Sequence, residues 1–558
     1  MKNAARIVIA GLLAWGILAP TARPAQAAGT VGNGTPGSCD DTAFLNKLAG
    51  GGLVTFSCGG GPVTIVLHDA FGVTAPVGTT TIDGAGLISF SAANAAGTRL
   101  FQVGDFSALT LTRVSLINSS INAPGGALYN TGRLVLDHVQ VHDTGAQTVY
   151  GGGAIFSNNL LEIKDSVFTQ NSSAGGGAIF NDVGGTAVIQ GSTFLSNTVA
   201  NGYYGGAISN SGRMTVTTST FAGNSLTLLD FCPLSLDEFC GGGAIANLSG
   251  AVLDVYTTDF NGNRSNKAAG AILNKGGLRL LDSSLTGNFV NNVGGAIANV
   301  ITATAYLTRV VISGNQAATG AGLYNYAHSV ALLKDVTIRN NQAGSAGGAI
   351  YNNNATASLA RVTLSDNLAG FTSGAIENRD GAQLFMTNST MSGNWAGDTG
   401  GAIWNFLGAA TLTHVTISNN KTREDTSAAI DNYSAAGTEL NLKNVLLVDN
   451  APANCVGKPP TSAFFSLSTD DTCVTDNVNN NRGNTSQLLG PLTDNGGYTF
   501  TRLPDPGSEA VDHGSCIGGL MEDQRGLTRQ VNGACDIGAV ERQANDLGFY
   551  IWTALIRR

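Results

Sequence analysis

Charge is scarce in this chain of 558 residues: Asp, Glu, Lys and Arg make up 12% of it, 29 basic against 38 acidic, for a net charge of −9. That balance offers no basic patch and argues against nucleic acid as a partner. Catalytic signatures are missing too. There is no Gly-x-Ser-x-Gly, no His-Glu-x-x-His, no Walker motif and no Gly-Gly-x-Gly-x-Asp calcium repeat. The six histidines (His68, His138, His142, His328, His414 and His513) form no ligand spacing. His138 and His142 stand four apart, too far along a strand to share one metal. The cysteines lack Cys-x2-Cys spacing, so a metal role is not expected and no cofactor is implied. Within the repeats described below, no apolar run is long or periodic enough for a helix.

What the chain has is glycine, 75 of them, and a repeat. The stretch Gly347-Gly348-Ala349-Ile350-Tyr351-Asn352 has near copies throughout. Its apolar position is filled by Leu128, Ile155, Ile179, Ile208, Ile245, Ile272, Ile297, Leu323, Ile350, Ile376, Ile403 and Ile430, at intervals of 24 to 29 residues save one of 37. A second apolar position keeps the same beat and is followed three residues later by Asn. It runs from Phe168/Asn171 through Phe260/Asn263 and Ile338/Asn341 to Leu447/Asn450. Between them lies a third apolar-rich run, such as Leu134-Val135-Leu136. A fixed period of this length marks a solenoid.

Three short strands per coil of about 26 residues predict an all-β, single-stranded, right-handed parallel β-helix, each strand pairing with its copies about 4.8 Å away. Gly pairs suit sharp corners, and recurring Asn residues can occupy left-handed corners or stack their amides in ladders. About fourteen coils would make a rod on the order of 70 Å long.

Residues 1–27 read as a signal peptide: Lys2 and Arg6, the apolar Ile7 to Leu18, then Ala25-Gln26-Ala27. Residues 28–60 are expected to cap the first coil, with Asp40-Asp41 starting a short helix whose Phe44, Leu45 and Leu48 share a face. The β-helix spans 61–450. A disulfide loop and Asn-rich connection occupy 451–484, a C-terminal segment expected to cap the solenoid 485–542, and a tail 543–558. The eight cysteines fall as sequence neighbours. Eight allow 105 pairings, but a rigid solenoid favours local ones: Cys39–Cys58, Cys232–Cys240, Cys455–Cys473 and Cys516–Cys535. The interval of 37 residues places an insertion at 226–241, bearing Asp230, Asp237 and Glu238 and expected to protrude as a loop.

The paired Gly-Gly-Ala-Ile and Phe-x-x-Asn motifs resemble the repeats of chlamydial polymorphic outer-membrane proteins, which are adhesin-like autotransporters. Asp523-Gln524-Arg525-Gly526 and Cys535-Asp536-Ile537-Gly538-Ala539-Val540-Glu541 resemble the choice-of-anchor Q region of exported, pectin-lyase-like β-helix proteins. Nothing after Glu541 resembles an autotransporter barrel. Leu547 to Ile556 is too short to span a bilayer. The expectation is a secreted or cell-surface monomer without an integral membrane span.

In a stacked solenoid, chemistry must lie along columns. Three residues before the Phe position stand Asp282, Arg309, Asp335, Arg361, Asn388 and His414. Alternating charges there make an ion-pair ladder or, if the protein is an enzyme, a carbohydrate-active site. In that case an arginine would be the base and the carboxylates would hold Ca²⁺ or a uronate. After the Ile position come Tyr129, Phe156, Phe180, Ser209, Ala246, Leu273, Ala298, Tyr324, Tyr351, Glu377, Trp404 and Asp431. These should point outward, and exposed aromatics offer flat faces to sugar rings. Tyr324, Tyr351 and Trp404 are the candidate ligand-binding residues. The first reading is an adhesin-like, non-enzymatic binder of glycans or host and cell surfaces. An extracellular polysaccharide lyase or hydrolase is second, by fold analogy alone, and a structural rod third.

Overall fold

The computed structural model describes residues 29–547, apart from 70–71, 93–96, 149, 228–231, 233–238, 424–426 and 487–488. The signal segment, the insertion's acidic residues Asp230, Asp237 and Glu238, and the tail from 548 onward lie outside the described residues.

The chain winds into a parallel β-solenoid. Its Ile-bearing strands form one sheet of fifteen, from Val73–Thr74 to Cys455–Gly457, and the remaining solenoid strands form a second, larger sheet. One coil shows the plan. Strand Ile350–Asn353 lies in the shorter sheet, followed by Thr356–Ala360, Thr363–Ser365 and Leu368–Ala369 in the larger one. Each pairs in parallel with the next coil, Ile350 with Ile376, Thr356 with Gln383, Thr363 with Thr390 and Leu368 with Trp395. The fourth stretch is additional to the three strands expected. Its copies, such as Gln342–Ala346, are too polar to announce themselves by apolar alternation.

Inside, the Ile column and the Phe column form one continuous apolar core. Phe168, Phe194, Phe221 and Phe260 stack at centroid spacings of 4.9, 4.7 and 5.0 Å, nearly coplanar. The buried asparagines form two ladders, one of them linking Asn181, Asn210, Asn247, Asn274 and Asn299 through Nδ2–H donating to the next Oδ1 at 2.7–2.9 Å. The other runs from Asn171 to Asn450. Its rungs also accept a backbone N–H and donate to the carbonyl of the Phe column one coil back, as Asn315 does to Leu285. These asparagines do not sit in left-handed corners. That conformation falls on the residue before the second ladder, such as Gly314, Asn340 and Asp366.

The glycine pair has two separate reasons. Gly347 takes φ +64, and a Cβ on Gly348 would stand 2.3 Å from the Gly374 carbonyl oxygen in the next coil.

Helix α1 (Asp41–Leu48) closes the first coil, with Asp40 accepting from the Ala43 amide at 2.8 Å. Phe44 packs against Phe90 and Phe101, while Leu45 stays partly exposed rather than sharing the buried face. Cys39–Cys58, Cys232–Cys240, Cys455–Cys473 and Cys516–Cys535 are bonded.

The segment after Leu489 lies along the flank of the solenoid rather than only beyond its last coil. Gln524 bridges coils, accepting from Thr390 and donating to Thr363 and Thr499 at 2.7–3.0 Å. Arg529, fully buried, donates to Asn388. Asn444 donates to the Ser515 carbonyl, and Thr416 accepts from the Ala539 amide. Burial in this interface holds the His414 imidazole down to about 3, with Asn444 donating to its Nε2.

Candidate binding face on the short sheet

Side chains that follow the Ile position do point away from the core, since strand residues alternate between faces. The three aromatic candidates fall on one outer face. Tyr324 and Tyr351 stack at 5.1 Å with rings 5° from parallel, and Tyr326 lies 5.6 Å from Tyr324. Two coils on, Trp404, Phe406 and Tyr433 continue the series at 5.2 and 4.7 Å.

Arg379 organises the space between. Its guanidinium lies 5.7 Å from the Trp404 ring and 5.4 Å from Phe406, contacts that attract a cation to a ring face. The same group donates to Glu377 at 3.2 Å and to Asp380 at 2.7 Å. Glu377 is 1% exposed and also accepts from Thr372 at 2.6 Å. Burial pushes its carboxyl up to about 6. Asp431 is likewise pushed up by burial and accepts from Thr399, which in turn accepts from Ser427.

The expectation of fully exposed aromatics needs correction. Tyr324 is only 8% exposed, and Tyr351 and Trp404 are half-buried. They shield one another, and Phe239, at the end of the insertion, packs over Tyr324 and Tyr326 at 6.3 and 5.7 Å. The small residues Ala246 and Ala298, with Leu273, lie in the same apolar cluster beneath Phe239. The gap in the aromatic column thus falls where Phe239 packs, and the small side chains of Ala246 and Ala298 leave room for it.

The charged column turns out to be a corner. Asp282, Arg309, Asp335, Arg361, Asn388 and His414 all take φ between 46 and 57. The charges there are spent in pairs. Arg309 grips Asp282 with two bonds of 2.5 and 2.7 Å, and Arg361 grips Asp335 with two of 2.6 and 3.0 Å. These hydrogen bonds hold both guanidiniums protonated more firmly than usual, the opposite of what a catalytic base requires. Arg361 also reaches Glu522, and Asn388 and His414 meet the C-terminal segment, so the column braces the flank.

One set of metal-competent groups occurs among the described residues: Asp137, His138 and Asp165, whose ligand atoms lie within 4.8 Å of one another at the partly exposed surface. Spacing alone missed it because Asp165 arrives from the next coil. No described helix is long and apolar enough to cross a membrane.

Two stretches, residues 165–182 and 335–353, match the Chlamydia polymorphic membrane protein repeat. Each begins on a corner aspartate, Asp165 or Asp335, and runs through a ladder asparagine and the glycine pair to the next Ile strand. The likeness therefore covers the residues that build a coil, and it points to an adhesin-like surface β-helix. No curated protein matches the chain.

Proposed function

We propose that the protein is an exported, non-enzymatic β-helix that binds glycans or other surface material through the outer face of its short sheet, between Tyr324 and Tyr433. The observation that carries this reading is the aromatic series around Arg379, rigidly mounted on stacked strands. Half-buried rings present edges and partial faces at low entropic cost, as sugar-contacting aromatics must. The repeat likeness supports a surface role, and four disulfides support an oxidising compartment. The paired arginines weigh against the lyase or hydrolase alternative. The test replaces Tyr351 and Trp404 with Ala, leaving the more buried Tyr324 for a separate variant. Binding to cells or immobilised polysaccharide should weaken at least about tenfold, the scale of two lost aromatic contacts. Unchanged binding by a variant with normal thermal unfolding would remove this face from consideration.

A further inference from the structure

A second place on the molecule has the form of a binding site, and it exists only because the C-terminal segment folds back. Tyr498, exposed over 67% of its surface, lies with its ring 5.4 Å from the Arg309 guanidinium. It lines an open groove of about 370 Å³ that runs over four coils. That volume falls in the range of small-molecule sites. The lining includes Asp259, Asp282 and Asp335, with the hydroxyl residues Ser284 and Thr337.

Of the three carboxylates that line the groove, two are already paired: Asp282 takes the Nε and Nη2 of Arg309. Asp335 is held from behind by Arg361. Among the described residues no arginine pairs with Asp259, whose Oδ1 accepts from Ser284 at 2.5 Å. Such a groove supplies acceptors for hydroxyl and ammonium donors and an aromatic face for a ring. The carboxylate of Asp259, which no described arginine neutralises, disfavours phosphate, sulfate and uronate at its end of the groove. We infer that the groove between Tyr498 and Asp259 binds a sugar unit bearing a free, protonated amine, a hexosamine within an oligosaccharide, stacked on Tyr498 with its ammonium toward Asp259.

This site is separate from the face on the short sheet and does not depend on it. The experiment is calorimetric titration of the full chain with a glucosamine tetramer, its N-acetylated counterpart and a galacturonate tetramer. The glucosamine tetramer should bind at least about tenfold more tightly than the N-acetylated one, and the uronate should show no binding. Tyr498→Ala and Asp259→Asn should each weaken the glucosamine tetramer about fivefold or more, the scale of one stacking or charge contact. The variant lacking Tyr351 and Trp404 should retain it. Both substitutions are at exposed positions, so a matched thermal transition confirms that the fold is intact. Failure of the glucosamine tetramer to bind, equal binding of either comparison tetramer, or unchanged affinity in both variants overturns the assignment.

Discussion

Asn315 tests whether amide ladders, and not only the apolar core, hold the coils in register. Its side chain is fully buried. Oδ1 accepts from the backbone N–H and the Nδ2 of Asn288, both at 2.9 Å, while Nδ2 donates to Asn341 Oδ1 at 2.9 Å and to the Leu285 carbonyl at 3.0 Å. Asn315→Leu keeps the volume roughly constant and strands three buried groups: the Asn288 amide, one Asn288 side-chain N–H and the Leu285 carbonyl. At about 1–3 kcal/mol for each buried group left unpaired, the loss should be about 3–6 kcal/mol after some relaxation. Asn315→Ala should be at least as damaging. Gln342→Ala, at an exposed position on the adjoining strand, should stay within about 0.5 kcal/mol. Urea unfolding gives the difference if the slope is unchanged. Amide exchange at Asn288 gives a local reading, useful because solenoids can open coil by coil. A loss below about 1 kcal/mol for Asn315→Leu, with Asn288 still protected, would refute the reasoning and leave the core as the sole organiser.

The remaining predictions concern charge. Arg309→Ala should cost no more than about 1 kcal/mol, because its pair with Asp282 is partly exposed to solvent. Arg361→Ala should cost several times as much in the same thermal assay, because Asp335, 5% exposed, loses its partner inside the structure. Glu377 has its folded value raised from 4.5 to about 6, so its protonated form favours the fold. That stability is present below about pH 4.5 and is lost as pH rises through 6. Glu377→Gln should abolish this dependence, worth about 2 kcal/mol at most. His414 runs the other way: held neutral down to about 3, it costs stability as pH falls below 6.5, where the unfolded chain takes up a proton. The protection factor of the Gly538 amide, which donates to the Asn444 carbonyl, should therefore fall in acid, and His414→Gln should blunt the effect.

Period, strand content and apolar columns were legible in the sequence because a solenoid repeats its contacts at a constant interval, so Ile350 meets Ile376 by counting alone. The ladders were legible for the same reason, though not which residues would turn the corners. Left-handed corners fell to Arg309 and Arg361 as well as to Gly and Asn, since stacking in register fixes the backbone there whatever the residue. Contacts without a constant interval could not be counted. Gln524 meets Thr363, and Tyr498 meets Arg309, across separations that no periodicity encodes. The same limit hid the burial of Tyr324, which depends on where Phe239 returns. Of the candidate face, Tyr324, Tyr351 and Trp404 stood out in their column, while Tyr326, Phe406 and Tyr433 did not. Arg379, which lies two residues along the same strands, was missed because Asn353 and Phe406 share its column without its chemistry.

The central claim, binding without chemistry, is tested most directly by incubating the full chain with a panel of polysaccharides and measuring both retention and depolymerisation products. The account predicts retention on at least one member, reduced at least about tenfold by Ala at Tyr351 and Trp404, with every polysaccharide recovered at its original length. Shortened products that disappear when Asp335 or Arg361 is replaced would contradict it and make the flank corner an active site.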